Sequence, residues 1–78
     1  MAIQIGDAEL RRQTRVCTRS AELSADNLAR DIEWYEERQR KAGNGLLEQR
    51  LSEALAHLRQ ARSILGEIAD ECTEGNDQ

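Results

Sequence analysis

The chain of 78 residues can form one small domain, and it contains no proline, no phenylalanine, one Trp and one Tyr. This composition disfavours a small β-sandwich or β-barrel, because those folds need aromatic side chains and frequent turn residues. The formal net charge of −4 disfavours general binding to nucleic acids, since an acidic protein repels phosphate backbones.

Residues 1–6 are predicted to form a short N-terminal arm, in which Ile3 and Ile5 flank a polar residue. A helix is predicted over residues 7–42, with Asp7 as its N-cap. Apolar and small residues recur in it at intervals of four and three, at Leu10, Thr14, Cys17, Ala21, Ser24 and Leu28, and after a one-residue shift at Ile32 and Tyr35. An alternative interpretation begins a separate helix at Ser24.

The Gly-Asn-Gly sequence of residues 43–45 is the strongest helix breaker in the chain and predicts a tight turn. A second helix is predicted over residues 46–72, because apolar residues recur there at intervals of four and three without exception. These residues are Leu47, Leu51, Ala54, Leu58, Ala61, Leu65, Ile68 and Cys72. Residues 73–78 are polar and are predicted to form a flexible acidic tail.

The two helices are expected to fold back on each other. In an antiparallel hairpin, facing residues have numbers with a constant sum, and this sum is 89 both for Leu28 with Ala61 and for Cys17 with Cys72. Half of that sum falls in the middle of the glycine turn, so two patterns found separately share one centre. The predicted fold class is therefore all-α, as an antiparallel two-helix hairpin with coiled-coil-like packing over residues 7–72.

We call the two rows of recurring apolar and small residues the seams. Further apolar residues lie beside them and indicate that the hairpin does not act alone. They are Val16, Leu23 and Trp34 on the first helix, and Leu55 and Ile64 on the second. A lone hairpin would leave these side chains in water, and small chains with thin cores usually gain stability by oligomerising. We expect a homodimer that forms a four-helix bundle, or an equivalent state bound to another protein.

Cys17 and Cys72 are predicted to face each other near the open end of the hairpin. They are either two small core residues or the two halves of a reversible disulfide. The usual separation of packed helices favours the first interpretation, because it exceeds the reach of a disulfide. Two cysteines and the distant His57 predict no metal site, no cofactor and no Cys-His catalytic pair. The low cysteine content, the absence of an apolar run of roughly 20 residues and the lack of a visible export signal together favour a cytoplasmic protein.

The segment of residues 31–38 contains the only Trp and the only Tyr of the chain. Trp34 is expected to point away from the seam, with Arg30 and Arg38 four residues to either side and able to stack on the indole. Trp, Tyr and Arg dominate the binding energy of many protein interfaces. We therefore predict a protein-binding surface, facing a second copy or a foreign protein, formed by Trp34, Tyr35, Arg30, Arg38, Leu55 and Ile64. No motif indicates catalysis, so we expect no catalytic residue and no enzyme activity.

Arg11, Arg15 and Arg19 form a basic stripe on one face of the first helix. Taken alone the stripe resembles a phosphate-binding surface. In the hairpin, however, it lies beside carboxylates of the second helix, so salt bridges between the helices are expected instead. These carboxylates belong to Glu67, Asp70, Glu71 and Glu74.

Two groups of small helical hairpins share features with this chain. It is similar to the plasmid copy-number protein Rop in size, acidity and hairpin form, a resemblance that implies an RNA-binding bundle face. Its periodicity over residues 10–72 is similar to that of the small co-chaperones of type III secretion needles, which implies pairing with a second chaperone.

Taken together, these features favour a non-catalytic protein-binding module of the cytoplasm. Adaptors, chaperones and inhibitors of this size are common on phages and other mobile elements. The alternatives are a Rop-like nucleic-acid-binding regulator and a secretion-system co-chaperone. The low mean hydropathy of −0.77 also leaves open a chain that folds only when it binds.

Overall fold

The computed structural model describes residues 6–74, which form two helices joined by a tight turn. Helix α1 spans Asp7–Lys41 and helix α2 spans Gly45–Glu74. The two helices pack against each other as a hairpin, which confirms the predicted all-α fold. Residues 1–5 of the predicted arm and residues 75–78 of the predicted tail lie outside the described residues.

Helix α1 is continuous over 35 residues, so no separate helix begins at Ser24. Its ends suit the helix dipole, because acidic residues occupy the first turn and basic residues the last. The prediction of Asp7 as N-cap is wrong. Gly6 is the N-cap and offers no side-chain hydrogen bond, whereas the Asp7 carboxylate lies inside the helix and accepts a hydrogen bond of 3.1 Å from Arg11.

The turn between the helices consists of Ala42, Gly43 and Asn44, one residue earlier than predicted. Gly43 has a φ of 80°, in the left-handed region that a residue with a Cβ atom rarely adopts. The backbone amide of Gly43 donates to the carbonyl of Arg40, and that of Asn44 donates to the carbonyl of Gln39. These bonds satisfy carbonyl groups that the end of α1 would otherwise leave without partners.

Helix α2 starts at Gly45 and runs to Glu74, two residues beyond the predicted end. Within the helix, the hydroxyl of Thr73 donates a hydrogen bond of 2.9 Å to the carbonyl of Ala69. Neither described helix carries an apolar stretch long enough to cross a bilayer.

The most deeply buried residues of the contact between the helices are four small side chains and one leucine. Thr18, Ala25 and Ala29 of α1 are buried, as are Leu55 and Ala69 of α2. We call these five residues the contact row. The hydroxyl of Thr18 is satisfied within its own helix by the carbonyl of Thr14, at 2.8 Å, so its burial leaves no polar atom without a partner.

Candidate protein-interaction surface

The two sides of the hairpin differ in chemistry, and the contact row defines them. Consecutive residues of an α-helix are about 100° apart, so the residue after a contact-row position lies on one side of the hairpin. The residue before it lies on the other side. Because the helices are antiparallel, the residues that follow the contact row on α1 and on α2 lie on the same side of the hairpin, and those that precede it share the other side.

Ion pairs between the helices occupy the side that follows the contact row, which we call the charged face. Its α1 members recur every seven residues and each contacts α2. The pairs are Arg19 with Asp70 at 2.6 Å, Asp26 with Arg62 at 3.3 Å, Glu33 with Arg59 at 3.0 Å, and Arg40 with Glu48 at 2.7 Å. This regular row fixes the register of the two helices along their whole length.

The electrostatic environment of the charged face favours its arginines in the charged form. The hydrogen bond to Asp70, with a weaker contribution from Glu22, raises the pKa of Arg19. In the same way the hydrogen bond to Glu48 raises the pKa of Arg40. The contact of Arg19 with Asp70 confirms, for one arginine of the basic stripe, the expected pairing with carboxylates of the second helix. Arg11 instead pairs with Asp7 of its own helix.

The side that precedes the contact row carries mostly apolar and small side chains, and we call it the apolar face. Cys17, Ser24 and Leu28 directly precede contact-row residues of α1, and Ala54 and Ile68 directly precede those of α2. Two exposed charged residues also lie on this face: Asp31, two turns after Ser24, and Arg50, about five turns before Ile68. Its uncharged members are Leu10, Cys17, Ala21, Ser24, Leu28 and Tyr35 of α1, and Leu47, Ala54, Ala61, Leu65, Ile68 and Cys72 of α2.

Part of each predicted seam therefore points sideways rather than into the contact between the helices, whereas Ile32, Leu51 and Leu58 of the same seams are half-buried. Leu28 is 53% exposed and Tyr35 57% exposed, and Leu10 and Leu47 are exposed to a similar extent. The expectation that these residues face the other helix of the hairpin is wrong. Ala25, Ala29 and Ala69 are the residues buried there instead, because small side chains allow the helix backbones to approach each other closely.

Leu55 was predicted to lie on an exposed flank with Trp34 and Ile64, and this placement is wrong. Leu55 is only 4% exposed and belongs to the contact row. Trp34 lies on the side of α1 away from α2, and Ile64 at the outer edge of the apolar face on α2. The three residues do not form one surface, because the rotation of both helices separates them.

Trp34 forms a separate aromatic and basic cluster on α1. Its ring meets that of Tyr35 edge to face, with centroids 4.8 Å apart, and Arg38 lies over the indole at 4.9 Å. Arg30 does not stack in the same way, since it pairs with Asp26 at 3.2 Å. Trp34 and Arg38 stay predicted binding residues, on a surface that adjoins the apolar face at Tyr35.

Cys17 and Cys72 both carry free thiols in the structure. Cys17 is exposed and Cys72 is half-buried, and both belong to the apolar face rather than to the contact row. Their predicted pairing as a reversible disulfide stays a prediction.

Reasoning from periodicity missed the charged face, although the sequence contains a signal for it. Arg19, Asp26, Glu33 and Arg40 recur at intervals of seven, and each is opposite in charge to the α2 residue that it contacts. A charged row of this kind marks the edge of a helix contact, which places the contact one residue earlier. Comparison of the chain with protein-family models, with curated proteins and with solved structures found no match.

Proposed function

We propose that this chain is a non-catalytic protein-binding module that acts through its apolar face. One observation carries the proposal: four large apolar side chains of this face are about half exposed, while the ion pairs between the helices lie on the other side of the hairpin. They are Leu10, Leu28, Tyr35 and Leu47, and Val16, Leu23, Trp34 and Leu46 are exposed outside the face. A folded protein rarely leaves a contiguous apolar patch of this kind in water unless another molecule covers it.

The chemistry of the apolar face indicates what kind of molecule it accepts. Most of its residues are aliphatic, small or aromatic, and its two charged side chains, Asp31 and Arg50, are of opposite sign. The face is long and follows two helices, so it suits an apolar stripe on one or two helices of a partner. Burial of its leucines would contribute about 1.5 to 3 kcal/mol per fully covered side chain.

The arrangement supports a role as an adaptor, chaperone or inhibitor. A hairpin held in register by ion pairs on one face presents the other face as a preformed surface, which lowers the entropy cost of binding. The two free thiols agree with the cytoplasm as its location.

A nucleic-acid-binding role receives less support from the arginines of the hairpin. Arg19, Arg40 and Arg59 each contact a carboxylate of the other helix, so binding phosphate would break those pairs. An RNA-binding role would instead appear as binding that weakens steeply with salt.

Two leucines of α1 provide a matched test of the proposal. Leu28 lies on the apolar face and Leu23 lies outside it, and both are more than half exposed. The substitutions Leu28→Glu and Leu23→Glu are therefore expected to perturb the hairpin itself to a similar, small extent. Circular dichroism would establish that both variants keep the helical content of the wild type.

Binding of both variants would then be compared with the wild type, first for association with the chain itself and then for a partner isolated from cells of the native host. We expect Leu28→Glu to weaken binding at least tenfold, because a carboxylate would be buried against apolar side chains. Leu23→Glu should bind as the wild type does. Equal behaviour of the two variants would contradict the assignment of the apolar face.

A further inference from the structure

The apolar face has a pattern of side-chain sizes that complements itself. At the level of Leu28 on α1 lies Ala61 on α2, and at the level of Tyr35 lies Ala54. Nearer the open end the order reverses. There Leu65 and Ile68 of α2 lie level with small residues of α1, which are Ser24 and Ala21.

The register that places these residues level with each other is supported by the ion pairs. Arg19 and Asp70, which contact each other at 2.6 Å, have numbers that add to the same 89 as Leu28 and Ala61. Every one of these four levels therefore presents one protruding side chain and one small one. The protruding residue lies on α1 near the turn and on α2 near the open end.

We propose that a second copy of this chain covers the apolar face, related by a two-fold axis parallel to the helices, so that both turns lie at the same end of a four-helix bundle. In this arrangement α1 of each copy lies on α2 of the other. Leu28 then packs on Ala61 of the second copy, and Leu65 on Ser24. The inference rests on the proposed function and identifies the occupant of the apolar face.

The opposite arrangement, with the turns at opposite ends, fits the pattern less well. It packs α1 on α1 of the second copy and α2 on α2 of the second copy. A residue at the symmetry axis must then face the same residue of the second copy, so a protruding side chain cannot always meet a small one.

Charge and area are both compatible with a second copy. The two charged residues of the face, Asp31 and Arg50, are of opposite sign, so two identical faces carry no net charge toward each other. The apolar face of α2 runs over 25 residue steps, or about 37 Å, and two helices are about 20 Å wide. The resulting area of roughly 700 Å² is close to the 800 Å² or so that each partner buries in a specific interface.

The position of the turns can be measured with a single spin label on each copy. Gln49 is exposed and lies outside the apolar face, so Gln49→Cys can carry a nitroxide in a chain that also has Cys17→Ala and Cys72→Ala. Double electron–electron resonance should give a distance below about 35 Å when the turns share one end. In the opposite arrangement Gln49 lies at least about ten residues from the midpoint of the bundle, so the labels are about 30 Å apart along the helices and farther apart in space. A distance above about 35 Å would therefore overturn the inference.

A second measurement on the wild-type chain keeps the test independent of the substitutions. In a sample of mixed isotope-labelled and unlabelled copies, contacts between copies should join the methyl groups of Leu28 and Ala61. Contacts from Leu28 to Ala21 of the second copy would indicate the opposite arrangement and contradict the inference.

A strictly monomeric chain in light scattering would also overturn the inference, but not the proposed function. Loss of binding to a foreign partner in Leu28→Glu, with binding kept in Leu23→Glu, would then still support the apolar face as the site. The two proposals therefore fail on different results.

Discussion

Arg19 donates a hydrogen bond of 2.6 Å to the carboxylate of Asp70, joining residues 51 positions apart near the open end of the hairpin. Arg19 also lies 3.1 Å from Glu22 of its own helix, so one guanidinium links both helices. This contact, the nearest to the open end of the four ion pairs that join the helices, fixes which residues lie level across the hairpin.

The substitution Asp70→Asn should lower the melting temperature by a few degrees at most, since both partners of the pair are exposed to solvent. The loss should shrink when the salt concentration is raised, because salt screens exposed charges. Asp31→Asn is the matched control, an exposed aspartate of α1 without an ion pair among the described residues. Equal losses in both variants would argue against a role for the Arg19 contact.

Two glycines should respond in opposite directions to replacement by alanine. A Cβ atom at Gly66 would meet only the flexible end of the Glu22 side chain, at 3.1 Å, so Gly66→Ala should raise the free energy of unfolding by up to about 1 kcal/mol through better helix propensity. Gly43 has a φ of 80°, so Gly43→Ala should lower it by about 1 kcal/mol. Urea denaturation at one protein concentration measures the free energy of unfolding of both variants. A lower value for Gly66→Ala than for the wild type would mean that the Glu22 side chain cannot move aside.

Leu55 should contribute more to stability than any exposed leucine of the chain. Leu55→Ala should lower the free energy of unfolding by about 2 kcal/mol or more, because it removes a buried side chain from the contact row. Leu46→Ala removes the same atoms from a residue that is 74% exposed, and should change stability by less than about 0.5 kcal/mol. Similar losses would contradict the burial of Leu55 between the helices.

The start of α1 should depend on pH through Glu9. Hydrogen bonds from Arg12 and then from Gln13 lower the pKa of Glu9 below its ordinary value of 4.5. Because the pKa is lowered, the charged carboxylate stabilises the first turns of α1 fully at pH values above the ordinary pKa of 4.5. This stabilisation is lost as the pH falls through the lowered pKa.

A titration of the Glu9 carboxyl carbon by nuclear magnetic resonance measures this directly. We expect a midpoint below 4.5 in the wild type and a midpoint closer to 4.5 in Arg12→Gln. An unchanged midpoint in the variant would show that Arg12 does not hold the carboxylate.

The sequence by itself determined that the chain is two long helices with a turn between them. Leu47, Ala54, Ala61 and the other residues of their series recur at helical intervals, and the two glycines interrupt the pattern only once. Intervals of four and three depend on local geometry alone, so they predict the helices and their antiparallel register without knowledge of the contacts.

Only the tertiary structure decided which side of each helix faces the other. The sequence shows where an apolar stripe lies on a helix. Which side of the helix faces a neighbouring helix depends on the side chains that allow the closest approach and on the charges at the edges of the contact. Here Ala25, Ala29 and Leu55 form the contact, and the ion pair of Arg19 with Asp70 holds it. Leu28 and Tyr35, prominent in the sequence pattern, therefore lie at the surface as part of the proposed binding face.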